Sequence, residues 1–117
     1  MIFVIDDDEI MRECIKMACG EDEEVREFGD AYKVMEEISK GNVPDLMFLD
    51  ILLDGVDGFT LLHEMVSYAD TAKVPVVVVT SLDMGGKDLS MYGVVGVLEK
   101  DVMRPEDVRN YVREYTK

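Results

Sequence analysis

The sequence predicts an α/β fold, a doubly wound five-stranded parallel sheet with helices on both faces. Two observations predict it. Ile2-Phe3-Val4-Ile5, Leu46-Met47-Phe48-Leu49 and Val76-Val77-Val78-Val79 are short apolar runs that each stop at a polar residue, the pattern of strands buried on both faces. Between them lie segments with apolar residues at helical spacing, as right-handed crossovers between parallel strands require. The 117 residues, 48% of them apolar, suit a single domain spanning 1–117 without internal repeats or linkers.

The first strand, Ile2–Ile5, runs into Asp6-Asp7-Asp8. A first helix follows from Asp8 to about Ala18, with Ile10, Met11, Cys14, Ile15 and Ala18 inward and Arg12, Glu13 and Lys16 on the other side. Gly20 ends it. Glu24 to Phe28 alternates in character and reads as a half-exposed strand near a sheet edge. Asp30 caps a second helix whose apolar residues are Tyr32, Val34, Met35 and Ile38, and Gly41-Asn42 closes it.

The central strand is Asp45 to Asp50, leaving the core through a loop rich in Asp and Gly: Asp54, Gly55, Asp57 and Gly58. A third helix, from about Gly58 to Tyr68, buries Phe59, Leu62, Met65 and Val66. Val76–Val79 is the most β-prone run and ends in Thr80-Ser81. Gly85-Gly86 weakens helix formation by roughly 1 kcal/mol per residue, so any fourth helix is short or starts late. Val94 to Leu98 is a fifth strand, ending at Glu99-Lys100. Pro105, with Glu106-Asp107, opens a fifth helix to about Tyr115.

Charge excludes whole classes of partner. With 26 acidic against 12 basic residues the net charge is −14, the wrong sign for direct nucleic-acid binding or for docking on anionic lipid. No apolar run is long enough to cross a bilayer, so no membrane partner is expected. A strand starting almost at Met1 leaves no room for a signal peptide, and the two cysteines, Cys14 and Cys19, point apart on a helix. A cytoplasmic protein with reduced thiols is the expectation.

In a parallel sheet all strands end on one edge. Asp6-Asp7, Asp50, Thr80 and Lys100 stand at four such ends, where open α/β sheets place their chemistry. Carboxylates that close repel one another, and a cation among their oxygens relieves the repulsion. Hard oxygen ligands suit Mg2+. A hydroxyl and an ammonium facing a metal-bound carboxylate suit nucleophilic attack by Asp50 on phosphorus, giving an aspartyl phosphate.

Over essentially its whole length the chain resembles a bacterial two-component response regulator receiver domain. The resemblance rests on Asp6-Asp7, Pro44-Asp45-Leu46 leading to Asp50, Asp57-Gly58, Thr80-Ser81 and Lys100. It implies a flavodoxin-like fold and a non-enzymatic switch with Asp50 as phosphoacceptor. Asp7 would then ligate Mg2+ directly, Asp6 through water, and the Leu52 carbonyl would complete the protein ligands. Thr80 would shift toward the phosphoryl group and Lys100 would pair with it. The implied partners are a sensor histidine kinase or phosphotransfer protein and a downstream effector protein.

The departures are specific. Leu53-Asp54 stands where the family commonly has Met-Pro, and Asp101 where a cis proline follows the lysine. A cis bond without proline costs about 2.5–4 kcal/mol, so a trans bond and a shifted Lys100 loop are expected. Val97 takes the place of the usual aromatic switch residue. Leu52 and Leu82, both apolar, flank the phosphoryl position by the same resemblance and predict slow self-dephosphorylation.

Val97, Asp101 and Gly85-Gly86 also motivate a pseudo-receiver, an interaction module that is never phosphorylated. A haloacid dehalogenase-type phosphatase wants a second acid where Leu52 stands, and flavin phosphate would be repelled by Asp6-Asp7-Asp8. His63 reads as a surface side chain.

Overall fold

The computed structural model describes residues 1–52, 58–81 and 88–116. The expectations placed on Leu53, Asp54, Gly55, Asp57, Leu82 and Gly85-Gly86 lie outside these residues. Five strands and four α-helices alternate along the chain: β1 (Ile2–Ile5), α1 (Glu9–Cys19), β2 (Val25–Phe28), α2 (Ala31–Ser39), β3 (Leu46–Leu49), α3 (Gly58–Val66), β4 (Val76–Thr80), β5 (Val94–Glu99) and α4 (Pro105–Tyr115). All pairings are parallel, in the order β2-β1-β3-β4-β5.

The elements form for local reasons. Asp8 caps α1 by accepting from the Ile10 N–H, and Gly20, at φ 95°, ends the helix by donating to the Met17 carbonyl. Asp30 caps α2 through the Lys33 N–H. Pro105 sits in the first turn of α4, where a missing N–H costs nothing. Before β5 the described residues hold one three-residue 3-10 turn, Ser90–Tyr92, closed by Gly93 at φ 78°. Among the described residues the tally of five helices becomes four α-helices and this turn.

The three central strands are buried along their whole length, as sandwiching between two helical layers requires. Phe3, Met47 and Val78 face one layer with Val34 of α2 and Leu61, Leu62 and Met65 of α3. Ile2, Val4, Phe48 and Val77 face the other with Ile15 of α1 and Val108 and Val112 of α4. The edges are less covered. β2 is half-buried at Val25 and Arg26, exposed at Glu27 and buried at Phe28, a partly exposed edge strand as expected, and β5 alternates residue by residue. β5 also carries a bulge: Val76 pairs with Val94 but Val77 pairs with Gly96, which leaves Val95 as an extra residue.

Some expected core residues are on the surface. Ile10 and Tyr32 are 76% and 64% exposed, and Cys14 is also exposed. α1 and α2 bury narrower stripes than their apolar residues suggest, centred on Ile15 and Ala18 and on Ala31 and Val34. Arg12 departs in the other direction: its side chain is only 18% exposed.

Candidate functional site

The register of β1 and β3 places Ile5 beside Leu49, so the next residues, Asp6 and Asp50, leave neighbouring strands side by side. The Asp50 N–H donates to the Ile5 carbonyl at 2.9 Å and the Asp6 N–H to the Phe28 carbonyl at 3.1 Å. Both carboxylates are buried, at 1% and 4% exposure. One oxygen each of Asp6, exposed Asp7 and Asp50 lies within 4.8 Å of the others. The expected convergence of strand-end carboxylates is present.

Lys100, just past β5, points its ammonium between the two buried acids, 2.8 Å from Asp6 Oδ2 and 3.0 Å from Asp50 Oδ2. Partial burial pushes its pKa down, but the hydrogen bonds and charges of Asp6 and Asp50 outweigh that and raise it above the ordinary lysine value. The peptide bond before Asp101 is trans, as expected. Thr80, the last residue of β4, is fully buried, and its carbonyl accepts from the Lys100 N–H at 2.9 Å, which ties the two strand ends together.

Backbone groups that sequence reasoning missed complete the frame. The Leu52 N–H donates to Asp50 Oδ1 at 2.9 Å, so each oxygen of Asp50 has a partner. The Leu52 side chain is 49% exposed. Asp6 Oδ1 accepts from the Asp8 N–H at 2.9 Å. Gly58 opens α3 so close to this turn that a Cβ there would sit 2.7 Å from Ile51 Cα and 2.8 Å from the Asp50 carbonyl oxygen. Only glycine fits that approach. Its place in the Asp57-Gly58 motif was the available signal.

The donor set fits Mg2+. Three carboxylates against one ammonium leave two negative charges, and Asp6 Oδ2 is buried without a directed hydrogen bond although the ammonium lies close. Oxygen-only ligands with one side open to solvent at Asp7 match a hard, partly hydrated cation.

A family model described as the response regulator receiver domain matches residues 2–113. The chain belongs to that family. Receiver domains are regulatory units that bind Mg2+ at an acidic pocket of this kind.

Among relatives, a protein-glutamate methylesterase/protein-glutamine glutaminase of Chromobacterium violaceum is 30% identical over 108 residues, covering 86% of this chain and 29% of that protein. Response regulator PleD of Caulobacter vibrioides is 38% identical over 45 residues, covering 38% of the chain and 10% of PleD. The chain thus spans less than a third of either relative.

The receiver fold is also seen in solved structures. A putative response regulator from Chloroflexus aurantiacus superposes with a TM-score of 0.80 at 26% identity, covering 97% of this chain and 94% of that one. Response regulator TrrA of Thermotoga maritima, solved in complex with Mg2+ and BeF, has a TM-score of 0.80 at 22% identity over 97% and 96% of the two chains, a likeness of fold. No helix among the described residues is long and apolar enough to cross a membrane.

Proposed function

We propose that this receiver domain is a phosphoryl-accepting switch, with Asp50 as the acceptor and Mg2+ held by Asp6, Asp7, Asp50 and the Leu52 carbonyl. The observation that carries the proposal is Asp50 itself: buried at the end of β3, grouped with two further acids and 3.0 Å from Lys100. A carboxylate oxygen of Asp50 forms a bond to phosphorus as the bond from phosphorus to the donor's imidazole nitrogen breaks, and the imidazole leaves with a proton. Lys100, held protonated by its acidic neighbours, neutralises phosphoryl oxygen. Thr80, at the neighbouring strand end, supplies a hydroxyl. The bound ion supplies charge neutralisation on the transferring group.

The donor is a sensor histidine kinase or phosphotransfer protein and the reader is an effector protein in the cytoplasm. The slow loss of phosphate anticipated from Leu52 and Leu82 belongs to the same proposal. Adding Mg2+ and beryllofluoride to the full chain, followed by amide spectra, is expected to shift resonances around Asp50 in the wild type and not in Asp50→Asn. An unresponsive wild type would favour the pseudo-receiver alternative motivated by Val97, Asp101 and Gly85-Gly86, of which Val97 is exposed on β5.

A further inference from the structure

We infer that Arg12 is a positioning residue for the metal-binding acids, acting through the peptide that joins Asp6 to Asp7; the inference rests on the proposed Mg2+ site. Arg12 lies on α1, where an amphipathic reading makes it a solvated charge. Instead its guanidinium Nη1 donates to the Asp6 carbonyl at 2.6 Å, while its Nε, buried and without a hydrogen bond, faces Glu27 Oε1 of β2 at 3.4 Å. Lys16 reaches the other Glu27 oxygen at 3.7 Å.

Asp6 is over-determined. Its N–H is tied to Phe28, its carboxylate holds the Asp8 N–H and meets Lys100, and its carbonyl is held by Arg12. Asp7 is the reverse. Its exposed carboxylate makes no hydrogen bond or ion pair among the described residues, yet it completes the acidic trio. What aims Asp7 is therefore its backbone, and the Asp6 carbonyl belongs to the same rigid peptide plane as the Asp7 N–H. By holding that carbonyl, Arg12 fixes the plane and so the direction in which Asp7 leaves it. The Glu27 contact braces the guanidinium from β2, so the sheet edge takes part in shaping the site.

Electrostatics alone predicts the opposite behaviour, which makes the test a matter of sign. Arg12 is a cation close to a cation site, so deleting its charge strengthens Mg2+ binding if charge is all it contributes. If it positions Asp7, deletion weakens binding. The full chain is titrated with Mg2+ alone and followed by amide shifts, alongside thermal unfolding without metal. Arg12→Gln is expected to weaken Mg2+ binding roughly ten-fold, the scale on which partners of metal ligands act. Arg12→Lys, which keeps the charge but loses the fork, should fall between Arg12→Gln and the wild type. A folded Arg12→Gln or Arg12→Lys protein that binds Mg2+ as tightly as the wild type, or more tightly, overturns the inference. A wild type that binds no Mg2+ overturns the site reading itself, which separates the two failures.

Discussion

The interior of the sheet and its carboxyl rim are built from the same three strands and obey opposite rules. Through Ile5, Leu49 and Val79 the strands present apolar side chains to both helical layers and bury them almost completely. One residue later come Asp6, Asp50 and Thr80, equally buried and polar; of the four buried polar residues described, only Thr71 lies elsewhere. A polar side chain taken out of water has to find partners inside the protein. Here the partners converge, and two carboxylates share one ammonium. The interior is arranged for stability, while the rim tolerates repulsion that a further cation relieves. The proposed phosphoacceptor site lies where the fold accepts that cost.

The sharpest way to test this contrast is to damage each region and compare the losses. Phe48→Ala empties a site in the fully buried middle of β3 and should cost about 3–5 kcal/mol in urea unfolding. Gly58→Ala drives a methyl into the Asp50–Ile51 backbone; a loss of about 2–3 kcal/mol is expected, with amide shifts spreading from Asp50.

Asp50→Asn, one residue past the β3 interior, should change stability by less than about 1 kcal/mol. Its amide oxygen can still accept from Leu52, and Lys100 keeps Asp6 without a competing acid. The same variant should accept no phosphoryl group. Should Asp50→Asn cost as much as Phe48→Ala, rim and interior would not differ in kind.

The smallest effect is chemical. Burial, with Glu23 nearby, penalises the Cys19 thiolate and pushes its pKa up to about 12, whereas Cys14 is exposed. A buried, protonated thiol is a poor nucleophile and resists alkylation. Iodoacetamide at about pH 8 should modify Cys14 alone in the folded protein, read by mass spectrometry; equal labelling of Cys19 would mean the α1 face is not packed as described.

The rim residues were legible because each follows an unbroken apolar run, and parallel strands carry such ends to one edge. Asp30 and Pro105 announced their helices by capping chemistry that works within a few residues. Ile10 and Tyr32 misled because helical spacing marks an apolar stripe without saying how wide a stripe the neighbouring layer covers. Arg12 was hidden for a related reason: its partners, the Asp6 carbonyl and Glu27, meet it only once α1 has packed beside β1 and β2. The Leu52 amide gave no signal, since backbone donors look alike in every sequence.

The extra residue in β5 bears on how far this strand's alternation can be trusted. Counted from Val94 with a strict two-residue period, Gly96 and Leu98 would turn toward α2 and α3. With Val95 set aside they turn the other way, Leu98 packing with the α1 and α4 layer and Gly96 leaving the space that the Tyr111 ring fills. Lys100 inherits the same inversion. The strand's phase is thus reset partway along, upstream of the ammonium that meets Asp6 and Asp50. Length at this point is negotiable but parity is not: dropping Val95 leaves every later pairing as it stands, whereas losing one residue between Gly96 and Lys100 sends the ammonium to the wrong side of the sheet.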